Sequence, residues 1–108
     1  GPDFRIIAAN RAFLDLALLS TEQQALGSHL VQFLGRSNTD LNVLIASIKN
    51  HGFVRNFATV LRDRHGKTED VEVSAVSAPQ SDTTLYGFSV RGVARRLKAG
   101  ANFGAELP

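Results

Sequence analysis

Three histidines, His29, His51 and His65, are the side chains of this sequence best suited to move a proton or hold a metal near neutral pH. Nucleophilic catalysis would need one of them beside a hydroxyl or thiol and oriented by a third group. The chain has no cysteine, so a thiolate nucleophile, a disulfide framework and a cysteine-based metal site are all excluded. None of the histidines has a serine and an aspartate at a spacing that defines a triad. His65 lies in Asp63-Arg64-His65-Gly66 and reads as a solvated turn residue. His51 falls at the end of a helical pattern, where a cation suits the helix dipole. His29 follows Gly27-Ser28; it keeps some potential as a ligand but reads first as a hydrogen-bonding or exposed side chain. Glu69, Asp70 and Glu72 are close in sequence, yet strand alternation divides them between faces, which makes them surface charge. No catalytic residue and no metal site is expected, and His29 and His51 are the candidate cofactor ligands.

The elements that position these groups must come from 108 residues, the length of one domain, with 44% hydrophobic and 20% charged residues. A core of this size is thin. The net charge is +2. Its cations fall in two groups, Arg62, Arg64 and Lys67, then Arg91, Arg95, Arg96 and Lys98. The first group is interleaved with Asp63, Glu69 and Asp70, the pattern of a mixed solvated surface and not of a nucleic-acid face. No apolar run approaches the ~18–20 residues of a membrane span, so no membrane contact is expected, and the lack of cysteine is compatible with a reducing cytoplasm. Gly1-Pro2 looks like a protease scar and, with Asp3, is set aside from the fold.

Phe4 to Ala9 (FRIIAA) reads as a buried strand, and Asn10 offers an N-cap to a helix over Arg11–Leu19. Ser20 or Thr21 with Gln23 or Gln24 has capping-box spacing, and Gly27 stops that short turn. Leu30 to Leu34 suits another turn. Asn38 or Thr39 caps a longer helix to about Asn50, with Leu41, Leu44, Ile45 and Ile48 on one stripe and Gly52 closing it. Then the period changes. Strands are expected over 53–62, 70–77 and 84–91, joined by a turn at 63–66 and a loop at 78–82 into an antiparallel meander. Residues 53–62 do not alternate cleanly, so the inward choice among Phe53, Val54 and Phe57 stays open. Val93 to Lys98 starts a helix, and residues 99–108 read as a linker.

Strand, short helices, longer helix, three-stranded meander is the element order of a PAS domain, and the residues resemble one. FRIIAANRAFLDL resembles the PAS opening, LGSHLVQFL the segment that turns around the pocket, and RDRHGKTEDVEVSAVS the PAS hairpin. The close, TLYGFSVRGVARRL followed by GAELP, is similar to the end of the last PAS domain in the PpsR/CrtJ repressors of photosynthesis genes. The resemblance implies an α+β PAS fold at 4–98, an antiparallel sheet of nominally five strands with short helices on one face. It also implies a linker at 99–108 leading toward a helix-turn-helix domain beyond. Gly92 stands where PAS strands commonly end in a capping Asp. The first PAS strand, normally central in the sheet, has no counterpart ahead of FRIIAA. The vacant place must be filled, because unpaired backbone there is costly. Three sources are available: sliding of residues 4–9, the C-terminal tail, or a strand from a second copy.

The resemblance further implies a sensory and dimerising module and not an enzyme. DNA would be read only by the downstream domain, and the partner would be a second copy in a homodimer, with strand swapping and antirepressor binding as variants. Phe4, Ile6, Val60, Arg62, Tyr86 and Arg91 are the expected dimer-interface residues, on the premise that they lie on or beside the outer sheet face. The alternative is a small-ligand or haem-sensing PAS domain of another signalling protein, such as a sensor histidine kinase. PAS domains with flavin photochemistry use a pocket Cys, which this chain lacks, and haem-binding ones usually offer a His inside the long helix. No cofactor is therefore expected, with haem kept open by His29 and His51. The pocket walls would be Phe33, Leu34, Leu44, Ile45, Ile48, Phe57, Val73 and Phe88, which a domain this small also needs for its core.

Overall fold

The structure, a computed structural model, describes residues 4–79, 83–93 and 101–107. Its order is β1 (Arg5–Ala9), α1 (Arg11–Leu16), two single 3-10 turns (Glu22–Gln24 and Leu30–Gln32), α2 (Asn38–His51), β2 (Phe53–Arg62), β3 (Thr68–Pro79), β4 (Thr84–Gly92) and β5 (Ala101–Leu107). The five strands form one antiparallel sheet in the order β1-β5-β4-β3-β2. This is the α+β, PAS-like arrangement expected.

Local chemistry accounts for the boundaries. The Asn10 side chain accepts a hydrogen bond from the Phe13 N–H at 2.9 Å and starts α1. Gln24 turns back to accept from the Thr21 N–H at 3.2 Å, as the capping-box spacing required. The N-cap of α2 is Ser37, ahead of both expected candidates, Asn38 and Thr39; its hydroxyl accepts from the Asp40 N–H at 3.2 Å. Gly52 ends α2 at φ 80°, a left-handed conformation that glycine adopts without a Cβ penalty, and its N–H bonds the Ile48 carbonyl at 2.7 Å.

The core lies between the sheet and the helices. Phe13 and Leu14 from α1 and Leu41, Leu44, Ile45 and Ile48 from α2 meet Val71, Val73, Ala75, Tyr86, Phe88 and Val90 from β3 and β4. Seven of the eight expected pocket walls belong to this buried cluster, and Phe57 packs on it while partly exposed. They pack as a core, the reading that a domain of this size favours.

Two features differ from expectation. Residues 101–107, read as linker, form the strand β5, which occupies the central place left open beside FRIIAA. Of the three ways to fill it, the C-terminal tail is the one realised. The physical reason is backbone satisfaction: β1 and β4 each present a row of donors and acceptors, and β5 pairs both. The tail also delivers Ala101, Phe103 and Ala105 to the core, each at most 4% exposed. The second difference is a bulge in β2, where pairing steps from Val54↔Ala75 to Phe57↔Val73. Two residues, Arg55 and Asn56, there face one, and Asn56 sits at φ 53°. The bulge resolves the ambiguous alternation: Phe57 packs on the core and Phe53 is exposed. The helix expected at Val93–Lys98 falls largely outside the described residues; Val93 itself is exposed and its N–H donates to the Asp70 carbonyl at 3.1 Å.

Candidate interaction site

Among the described residues the helices lie on one side of the sheet, and its other face is open. Its side chains follow from register. Across the middle runs one row of partners, Phe53↔Val76↔Gly87↔Gly104↔Ala8. Gly87 and Gly104 face each other without side chains and so open a trench in the sheet surface. An added Cβ would stand 3.8 Å from Val76 Cγ2 at Gly87, and 3.9 Å from Ile7 Cγ1 at Gly104. The trench walls are therefore Val76, with Phe53 beyond it, on one side and Ile7 on the other. All three are large, apolar and well exposed: Phe53 49%, Val76 55%, Ile7 43%. The Arg55 guanidinium lies 5.7 Å from the Phe53 ring centre, a cation–π distance. An open cavity of about 510 Å³ lies on the Gly87 side, lined by Phe53, Arg55, Ser74, Val76, Ser89 and Asn102 among others.

The borders of the trench are polar. One side carries the row Ser74↔Ser89↔Asn102, and beyond it Arg91 pairs with Glu72. The other side carries Leu85↔Glu106↔Arg5. An apolar centre inside a polar, charged rim is the anatomy of a protein–protein contact.

The six residues expected at the dimer interface distribute differently from the premise. Phe4, Ile6, Val60 and Tyr86 are buried, at 1%, 0%, 9% and 5% exposure. Phe4 packs edge-to-face on Tyr86 with ring centres 4.9 Å apart. They are core residues, because parity along β1 and β4 turns Phe4, Ile6 and Tyr86 toward the helices and their neighbours outward. Arg62 is also committed internally. Its guanidinium donates to the carbonyls of Val31 at 3.1 Å, Gln32 at 3.3 Å and Gly35 at 2.8 Å, fastening the second 3-10 turn to β2. Arg91 alone of the six stands exposed on the open face. Sequence reasoning overlooked Ile7, Phe53, Val76 and the glycine pair; a strictly alternating reading of β3 and β4 would have placed Val76 and Gly87 outward.

The histidines are placed on separate segments. His29 precedes the second 3-10 turn and bridges Arg5 of β1, His51 ends α2, and His65 lies in the β2–β3 turn; all are exposed. Among the described residues no group of three or more His, Cys, Asp or Glu side chains is arranged to hold a metal ion. No helix among them is long and apolar enough to cross a membrane.

The fold is that of a PAS-like domain with one open sheet face. No family model matches the chain. Over 89 residues it is 37% identical to Protein CrtJ of Rhodobacter capsulatus, a match that covers 82% of this chain and 19% of that protein. The chain is thus related to the PpsR/CrtJ proteins, as the closing residues of the sequence suggested, and it spans 19% of the length of the relative it matches.

Proposed function

We propose that this chain is an interaction module of a cytoplasmic bacterial regulator that represses photosynthesis genes, and that it acts by pairing with a second copy through the open sheet face. The relation to CrtJ supports the regulatory setting. The observation that carries the pairing is the trench over Gly87 and Gly104, walled by Ile7, Val76 and Phe53 and rimmed by charge. Large apolar side chains gathered on one open face gain free energy when a partner removes them from water, and the polar rim fixes orientation. An antirepressor protein would use the same face, in competition with the second copy. DNA is contacted by another part of the longer polypeptide, whose two DNA-reading units are set relative to each other by the pairing. The reading requires no cofactor and no catalytic group.

Sedimentation velocity over a dilution series tests it. The chain should show a reversible monomer–dimer equilibrium, and Val76→Glu should shift it to monomer. Monomer alone at the highest concentrations would contradict the reading. Val76 is 55% exposed, so the glutamate should cost the fold no more than about 0.5 kcal/mol, and loss of pairing cannot then be ascribed to unfolding.

A further inference from the structure

The strand β5 is placed centrally yet is composed unlike a central strand. In ANFGAEL only Phe103 is a residue type that strands favour; Ala, Asn, Gly and Glu are all depleted in sheets. Its neighbour β4, and β3 beyond it, draw on Val, Thr, Tyr and Phe. A segment with little preference of its own is held by the place it enters. That place has three parts. The edges of β4 and β1 pair its backbone on both sides, at seven and four register positions. An aromatic socket receives Phe103, which stacks on Phe88 at 4.7 Å and lies 4.8 Å from Phe13. Asn10 forms a clip, its N–H donating to the Asn102 carbonyl and its side-chain oxygen accepting from the Asn102 N–H, both at 3.0 Å. On either side of the socket, Ala101 and Ala105 are fully buried, so these two positions accept small side chains.

We propose that the slot between β1 and β4 is an exchangeable strand-accepting site, whose ligand is an extended segment with an aromatic residue flanked two places away on each side by small ones, and that the 101–107 segment of a second copy can take the place this chain fills with its own. Backbone pairing on two edges is indifferent to which chain supplies the strand, and the alternate side chains select for pattern. A strand supplied by a second copy recreates in trans every contact that the chain's own strand makes. Asn10 ties the exchange to the helix, since the side-chain oxygen that clips Asn102 also caps α1. The proposal is independent of pairing through the open face.

The test uses the full chain carrying Val76→Glu, which removes open-face pairing, and Phe103→Ser, which weakens the resident strand. A fluorescent peptide of residues 99–108 is added, beside a control peptide in which the phenylalanine is moved one place. The first should bind saturably, at least about tenfold more tightly than the control, and should raise the melting temperature of the Phe103→Ser chain. If that chain is unfolded alone, the first peptide should restore its folding and the control should not. A folded chain that binds neither peptide, equal binding of both, or an unfolded chain that the peptide cannot rescue would overturn the proposal. Failure here with normal dimerisation of the Val76 chain leaves open-face pairing intact, and the reverse result separates the two in the other direction.

Discussion

Arg62 and Arg91 are both cationic strand residues, yet their surroundings give them opposite weight. Arg62 is partly buried and spends its donors on three carbonyls at the end of a 3-10 turn. Removing it leaves those acceptors poorly paired, so Arg62→Ala should lower stability by about 2 kcal/mol. Arg62→Lys should not restore it, because an ammonium cannot reproduce the fork. Arg91 pairs with Glu72 in the open, and Arg91→Ala should change stability by less than about 1 kcal/mol. Urea denaturation of the three variants checks the contrast. Phe103 carries more than either. At 4% exposure and packed on two other rings, its truncation to Ala should cost about 3–5 kcal/mol by the same measurement, much of what a domain of this size has. Residue type alone did not separate these cases: Arg62 and Arg91 read alike in sequence, and the difference arises from the carbonyls that the second 3-10 turn brings to β2. Phe4, Ile6 and Tyr86 were assigned to the wrong face because a one-residue change of parity exchanges core for surface.

At the level of elements, the trench depends on two glycines that need no special backbone. Neither Gly87 nor Gly104 has positive φ, and an added Cβ would meet only ordinary contacts. Gly87→Ala and Gly104→Ala should therefore leave the fold as stable or raise it by about 0.4–1 kcal/mol, through a less disordered unfolded chain. Both should weaken pairing, because the methyl group fills the space a partner side chain enters. Thermal melting and sedimentation measured side by side check this, and association lost without stability lost is the signature. The helices and the meander were legible in the sequence because capping residues, closing glycines and a change of period mark them. The β2 bulge was visible only as poor alternation in residues 53–62. β5 was not legible: Gly100, Gly104 and a run of small residues carry the signal of a linker, and only the vacancy between β1 and β4 makes a strand of them.

For the whole molecule, one sheet performs two tasks. Its inner face holds the helices through a single core, and its open face presents an apolar trench with a charged border. The element order that pointed to a PAS domain set the first arrangement, and the proposed pairing rests on the second. If two copies pair face to face as proposed, a change in that contact would act directly on β4 and β5, which carry the two trench glycines. The pairing is measured most directly by isotope-filtered NOE spectroscopy on an equal mixture of labelled and unlabelled chain. Cross-peaks between copies should involve the Ile7 and Val76 methyl groups and the Phe53 ring, and should vanish with Val76→Glu. Cross-peaks confined to other surfaces, or none at concentrations where sedimentation shows a dimer, would contradict the account.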